Sequence, residues 1–329
     1  MAKFIQTPET FFVEEIPLAE CCGFGNHLWV TFSRKSMSTF FIASKLKNIL
    51  KIKETEIGIA GNKDKLATAI QTISLPSRLE PKIFNAFKSI GAEILSAKLH
   101  NEKLRMGQIA GNKFKILIDI FSREDYENIS EKIDDAQKKG FPNFFGPQRV
   151  SDEHSIEEGK KIFLNKSSKN GNRKNRFLVT VFQSAVFNSY LKNRIKKQLY
   201  PNPIIGDVVK IGEKLVVLSD GLKNRGEWEN EAILTGPIIG SKMILPLGDP
   251  LTLEKEAVEK YGIQFDEIFL SRARGSRREC CSKPKEIAIK IISEKKVELS
   301  FTLQKGSYAT TLLKFIGVET AIDKRGKED

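Results

Sequence analysis

The chain is poor in the residues that hold metals. Its 329 residues include three histidines, His27, His100 and His154, and four cysteines. The histidines lie far apart in sequence, which argues against a metal-dependent nuclease, whose centre needs clustered carboxylates or histidines. The cysteines form two vicinal pairs, Cys21-Cys22 and Cys280-Cys281, whereas zinc sites usually use a C-x-x-C spacing. Reduced thiols without a catalytic task are the expectation, as in cytosolic proteins. No glycine pattern of the dinucleotide or P-loop kind occurs, and no cofactor or metal is expected. No apolar run approaches the ~20 residues that span a bilayer. The opening MAKFIQTPETFF lacks the apolar core and cleavage site of a signal peptide. A cytoplasmic protein with no membrane partner is therefore expected. No internal repeat is visible.

Positive charge is in excess. Lys and Arg number 54 against 41 Asp and Glu, a net charge of +13. Cations that neutralise phosphates release counterions, so a polyanion such as RNA or DNA is favoured as partner; the plainer alternative is a solubilising surface. Hydrophobic residues make up 40%, enough for a packed core and too many for general disorder. The length suits one large domain or two ordinary ones.

Periodicity predicts mixed strands and helices. Residues 11–16 and 28–33 read as strands, the second alternating Leu28, Val30 and Phe32 with Trp29 and Thr31. Ser38 caps a predicted helix carrying Phe41, Ala43, Leu46, Ile49 and Leu50. A short strand, 57–60, runs into the Gly61 turn. A helix near 81–90 and a strand near 92–99 follow, and Phe114, Ile116, Ile118 and Ile120 alternate again. Ser122 with Asp125 resembles a capping box for a helix toward Lys139, which Gly140 and Pro142 end. Glu286–Ile292 and Val297–Leu303 read as paired strands with Lys295-Lys296 in the turn, and Ser307 caps a last helix. This order suggests an α+β fold on an antiparallel sheet rather than a doubly wound one.

The middle differs. From Lys160 to Arg176 there are seven basic residues and no acidic one, a loop by composition. A helix with Phe187, Leu191 and Ile195 on one face follows. A second basic cluster, Arg272, Arg274, Arg277 and Arg278, closes the region. Residues 151–284 read as an insertion between two parts of a core, 1–150 and 285–329.

Three loops offer chemistry. In Gly61-Asn62-Lys63-Asp64-Lys65 a carboxylate sits between two lysines at the start of the apolar strand of Ala67, Ala69 and Ile70. Nearby cations favour its ionised form, which suits a nucleophile or base; an ordinary solvated turn is the plainer reading. In Asn143-Phe144-Phe145-Gly146 neighbouring rings point opposite ways in extended backbone, so one can be core while the other stacks a base. Tyr308, in Lys305-Gly306-Ser307-Tyr308, puts a phenol at a helix start, and Phe11 lies on a strand; both residue types are most often simply core. Lys63, Lys65, Arg149, Lys169, Arg173 and Lys174 are candidates for RNA phosphates, or plain surface charge.

The joint order of these segments resembles the TruD family of tRNA pseudouridine synthases. Gly61-Asn62-Lys63-Asp64-Lys65-Leu66-Ala67-Thr68-Ala69-Ile70-Gln71 is similar to the family's G-x-K-D-x-x-A-x-T-x-Q, with Ala69 where Thr is usual. Asn143-Phe144-Phe145-Gly146 and Gln148-Arg149 resemble N-Y-F-G and Q-R. Pro8-Glu9-Thr10-Phe11 resembles P-E-D-F, and Leu303 to Thr310 resembles L-P-x-G-S-F/Y-A-T. Arg105-Met106-Gly107, Gly111-Asn112-Lys113-Phe114 and Gln183 to Asn188 also fit. The resemblance implies a pseudouridine-synthase-like antiparallel sheet core with an inserted, family-specific α/β domain. It implies isomerisation of a uridine, uridine 13 of tRNA, by a protein expected to be a monomer without cofactor. Asp64 is then the catalytic aspartate, Asn143 orients it, and Phe11, Phe145 and Tyr308 frame the uracil. A basic residue precedes P-E-D-F in the family; Ile5 stands there, with Lys3 the nearest cation. The rival from another class is a catalytically silent RNA-binding or RNA-folding protein, which charge and aromatics would suit equally.

Overall fold

The structure, a computed structural model, describes residues 1–147, 149–150, 152–165, 173–219 and 232–322. In chain order it begins with β1 (Lys3–Gln6), β2 (Phe11–Pro17), β3 (His27–Lys35), α1 (Thr39–Leu50), β4 (Gly58–Ile59) and β5 (Thr68–Pro76). Next come α2 (Glu80–Ser89), β6 (Glu93–His100), β7 (Ile109–Asp119) and α3 (Arg123–Lys139). The middle carries β8 (Phe141–Pro142), α4 (Glu153–Leu164), α5 (Arg173–Lys196), β9 (Val208–Ile211), β10 (Lys214–Val217), β11 (Ile233–Ile238), α6 (Asp249–Glu259), β12 (Ser276–Glu279) and β13 (Cys281–Ser282). Last are β14 (Lys285–Ser293), β15 (Lys296–Gln304), α7 (Ala309–Phe315) and β16 (Glu319–Ile322).

The chain forms two compact units, Met1–Lys138 with the chain from Pro284 onward, and Lys139–Lys283. The boundary expected at residue 150 therefore moves forward. The reason lies in hydrogen bonding: Gly140, at φ 77, ends α3, and the next two residues, β8, pair with β13. The chain entering at Phe141 is thus already bonded to the chain leaving at Ser282. Asn143, Phe145 and Arg149 accordingly belong to the second unit.

The first unit is built on one large sheet whose main path runs β14-β15-β7-β2-β5-β3-β6. It is mostly antiparallel, as the alternating patterns predict, but β2 and β5 are parallel, as are β1 and β16. The β2–β5 pair follows from topology. β2 and β3 run in opposite directions and β5 lies between them, so it must be parallel to one of them. Leu28, Val30 and Phe32 of β3 pack with Ile42, Ala43 and Leu46 of α1 and with Ile83 and Phe87 of α2. Farther along, the rings of Phe4, Phe11, Phe114 and Phe301 form a chain with centroid spacings of 5.2 to 5.9 Å. Two of the expected caps occur. Ser38 Oγ accepts the Phe41 N–H at 3.1 Å, and Ser122 Oγ accepts that of Asp125 at 3.1 Å. One long-range pairing was invisible in sequence: His27 and His100 are cross-strand partners, although among the described residues no metal-binding group forms.

The second unit packs α5 against α6 and a sheet of order β10-β9-β11-β12. Phe182, Val186, Phe187, Tyr190 and Leu191 of α5 meet Leu253, Ala257 and Val258 of α6 in its core. Two ion pairs are buried there, Arg194–Asp207 at 2.5 Å and Arg277–Glu254 at 2.7 Å. The basic loop expected from Lys160 to Arg176 is corrected. Lys160 and Lys161 lie in α4, and Arg173, Lys174 and Arg176 open α5. Lys160 also has an acid, Glu157 one turn back at 2.8 Å. Composition read a helix–helix connection as one loop because the flanking helical turns are as polar as the connection itself.

Candidate active site

Asp64 lies on the stretch between β4 and β5, and that stretch is fastened by its peptide groups. The Lys63 N–H donates to Thr39 Oγ1 at 2.9 Å, and the Thr39 hydroxyl donates to Gln71 Oε1 at 2.9 Å. The Asp64 carbonyl accepts from Arg34 Nη1 at 2.7 Å. The Leu66 carbonyl accepts from Gln6 Nε2 at 3.1 Å, and the Ala67 carbonyl accepts the Ser36 N–H at 3.3 Å. Thr39 and Gln71 are buried, so these bonds are shielded from competing water. Asp64 itself is half-buried. The result is a fixed backbone presenting a reachable carboxylate.

The cation beside that carboxylate is neither lysine neighbour. Lys63 is buried and its ammonium sits 2.5 Å from Glu15 Oε2, with both side chains almost fully covered. Burial pushes the Glu15 carboxyl up, and the ammonium opposes that rise. A lysine committed to a buried carboxylate is not available to RNA, so Lys63 as a phosphate contact is corrected; Lys65 remains exposed. Arg34 supplies the charge near Asp64. It is 2% exposed and also donates to the Met37 carbonyl. Burial brings its guanidinium down to about 10, against the pull of Asp64. Its Nε and Nη2 are buried without a hydrogen-bond partner. Lys3, on β1, is not the cation that reaches the Asp64 carbonyl. The clue to Arg34 was present in sequence: it continues the inward stripe Leu28, Val30, Phe32, where a charge needs a reason.

One other segment of this unit is tied to the same stretch, and a second is tied to β7 beside it. The Gly107 N–H donates to the Ala60 carbonyl at 2.7 Å, and the Lys305 N–H donates to the Ala110 carbonyl at 3.2 Å. Arg105-Met106-Gly107 and Lys305-Gly306-Ser307-Tyr308 also meet directly, Lys305 Nζ donating to the Gly107 carbonyl at 3.5 Å. Tyr308, half-buried, is the N-cap residue of α7; the cap expected at Ser307 moves one residue on. Phe11 is a core ring, 6% exposed and stacked on Phe114 at 5.9 Å, which corrects the expectation of an open aromatic wall there.

In the second unit Asn143 is 3% exposed and fully engaged. Its Nδ2 donates to the Glu279 carbonyl at 3.0 Å, and its Oδ1 accepts from Arg278 Nη2 at 2.8 Å. The same guanidinium bonds the Asn143 carbonyl at 3.0 and 3.2 Å and lies 4.0 Å from the Phe145 ring centroid. Phe145 meets Phe187 edge-on at 5.5 Å, and its peptide group is bonded on both sides by Asn188, at 2.8 and 3.0 Å. Both Phe144 and Phe145 pack against the core and stay partly buried, and the Arg278 guanidinium covers one face of the Phe145 ring. Arg278 was visible only as one of a basic cluster; that it holds Asn143 is a tertiary fact. Arg149 donates to Thr180 Oγ1 at 3.3 Å and lies over the Phe177 ring. Lys174 is exposed. Lys169 and the Arg173 side chain lie outside the described residues.

Each unit thus presents rigid, charge-balanced polar groups, and the first presents a half-buried carboxylate beside a buried guanidinium. A reachable carboxylate is a group that can take part in nucleophilic or acid–base chemistry. Comparison with known proteins agrees in one direction. The family described as tRNA pseudouridine synthase D (TruD) matches residues 2–169 and 171–316. A protein named tRNA pseudouridine synthase D from Thermus thermophilus is 33% identical over 330 residues, covering 96% of this chain and 88% of its own. One of the same name from Wolinella succinogenes is 30% identical, covering 94% of this chain and 93% of its own. A solved structure carrying the same family name, from Methanosarcina mazei, aligns with a TM-score of 0.69 at 21% identity over 97% of this chain and 94% of that one. At that identity the likeness speaks for the fold.

Proposed function

The chain belongs to the tRNA pseudouridine synthase D family, and from that premise we propose that it isomerises a uridine of tRNA to pseudouridine, uridine 13 by resemblance, with Asp64 as the essential carboxylate. In this reaction the bond from N1 of uracil to the sugar breaks and a bond from C5 forms. The C5 proton leaves and N1 gains one, so no oxidant or reductant is needed. The target base must first leave its stack, at a cost of a few kcal/mol.

The observation that supports Asp64 best is its support. Its peptide carbonyl is held by the buried Arg34 at 2.7 Å, on a backbone bonded at Lys63, Leu66 and Ala67. A reacting group held this way loses little freedom on reaching its target. Tyr308 contributes a ring at the uracil, Phe11 supports the core of the same unit, and in the second unit the partly buried Phe145 offers a ring to the substrate while Asn143 helps to set the Arg278 that covers it. Lys65, Arg149 and Lys174, with Lys169 and Arg173, contact phosphates, which set affinity and its salt dependence more than base choice. The test is tritium release or mass analysis of tRNA incubated with the pure protein and with Asp64→Asn. We expect the variant to lose turnover while keeping RNA affinity and thermal stability; near-normal turnover would remove Asp64 from the chemistry.

A further inference from the structure

The second unit contains a cavity of about 420 Å³ that the roles above leave unused. α5 forms one wall, with Arg176, Thr180 and Gln183, and the segment through Arg272, Arg274 and Ser276 forms another. Among the described residues three guanidiniums line it and no carboxylate does. All three arginines are exposed. Among the described residues, Arg176 and Arg274 have no acidic partner.

The loop carrying two of these arginines is stiff. The Ser241 and Lys242 N–H groups donate to the carbonyls of Ala273 and Arg274 at 2.8 and 2.7 Å. Gly275 sits at φ +72, and a Cβ on Gly240 would lie 2.3 Å from the Gly275 nitrogen, so two backbones touch where no side chain fits. From the other wall, Gln183 Nε2 donates to the Ile239 carbonyl at 2.7 Å, which ties α5 to the base of the same loop. The four arginines from 272 to 278 thus divide. Arg277 bonds Glu254 and Thr235 and Arg278 bonds Asn143; Arg272 and Arg274 both line the cavity.

We propose that this cavity is a phosphate subsite that takes a phosphodiester group of the RNA backbone, clamped by Arg176, Arg272 and Arg274. Guanidinium forks match phosphate oxygens in pairs, and a pre-ordered backbone lowers the cost of immobilising them. A basic pocket open to solvent can be reached by an anion carried on a polymer backbone. The inference rests on RNA being the substrate.

The experiment is binding of full-length protein to fluorescent tRNA by anisotropy at several salt concentrations. R272A/R274A is compared with R272K/R274K and with K192A/K214A, which removes equal charge from exposed sites in the same unit. Thermal unfolding checks each fold. We expect R272A/R274A to weaken binding roughly tenfold at low salt and to flatten the slope of log K on log salt by about 1.4–1.8, two phosphate contacts' worth. The lysine variant should keep most of that slope, and the control should change little. Unchanged binding, or an equal loss in the control, would overturn the proposal, as would a defect seen with polyglutamate and not with RNA. If R272A/R274A does not fold, Arg176→Ala on the opposite wall is read by the same criteria. Binding requires no turnover, so the two readings separate. A protein that binds through the cavity but forms no pseudouridine sinks the enzymatic role alone, and full isomerisation with unaltered binding in the variants sinks the cavity alone.

Discussion

Arg34 illustrates what a single buried charge does at a site of this kind. A guanidinium 2% exposed with two unpartnered nitrogens costs free energy unless another group repays it. Its bond to the Asp64 carbonyl and its charge beside that carboxylate are the repayment. Arg34→Met keeps the volume and removes both. We expect single-turnover isomerisation to fall by up to about 10²-fold, as for a misplaced reacting group, at a stability cost of about 1–3 kcal/mol and with tRNA affinity nearly unchanged. Arg34→Lys should recover part of the rate. Rates, denaturant midpoints and binding on one preparation would show whether the loss is catalytic; parallel loss of binding would point to a collapsed loop instead. Tyr308 asks a different question. Tyr308→Phe keeps the ring and removes the hydroxyl, and Tyr308→Ala removes both. If stacking is its role, Phe retains most of the single-turnover rate and Ala loses much of it; equal damage in both would assign the hydroxyl to proton transfer. The half-buried N-cap position leaves room for either measurement without unfolding α7.

At the scale of elements, α5 and α6 of the second unit are held by apolar packing with ions inside it. Glu254 on α6 faces Arg277 at 2.7 Å, with Asp207 and Arg194 nearby. Burial lifts its carboxyl from 4.5 to about 7, partly opposed by Arg277 and reinforced by Asp207. Burial raises the Asp207 carboxyl too. Below pH 4.5 folded and unfolded Glu254 both carry the proton. Between there and about 7 the folded state keeps a proton the unfolded state has released, so stability is greatest on the acid side and is lost as pH rises through about 7. Hydrogen exchange of α5 and α6 amides, corrected for the intrinsic rate, should therefore show protection at pH 5 that exceeds protection at pH 8 by one to a few kcal/mol. Glu254→Gln should flatten that difference; an unaltered pH dependence in the variant would place the titrating group elsewhere.

For the whole molecule, the discontinuous first unit and the continuous second one have different dependences. Lys139–Lys283 has its own apolar core, and its entering and leaving strands, β8 and β13, are paired with each other. A fragment of these residues should fold and melt cooperatively. It should bind tRNA with a salt-dependent affinity, because it keeps Arg149, Lys174 and the arginine-lined cavity, and should form no pseudouridine, because it lacks Asp64. Calorimetry, anisotropy and tritium release on the fragment test these points. A fragment that does not fold would show that the second unit depends on the first. Across the described residues no helix is long and apolar enough to cross a membrane.

The sequence alone was enough for most elements of the first unit and for the order of the motifs. Alternation of Leu28, Val30 and Phe32 or of Phe114, Ile116 and Ile118 reports which face is buried, because side-chain direction in a strand has period two. Ser38 and Ser122 mark helix starts because a hydroxyl satisfies a free N–H locally. Such signals live within a few residues and survive without tertiary context. What the tertiary structure decided is who meets whom. Lys63 stands next to Asp64 in sequence, yet it pairs with Glu15, 48 residues away, and the cation at Asp64 comes from β3, 30 residues before it. Arg278 reaches Asn143 across 135 residues, and β8 meets β13 over nearly the whole second unit, which is why the boundary misread at 150 lies near 138. The resemblance put Phe11 and Phe145 at the uracil, whereas packing buries Phe11 in the core and half-buries Phe145, since burial depends on neighbours that only the folded chain supplies. Charge partners and exposed faces are pairwise, long-range quantities, and one strand's pattern cannot contain them.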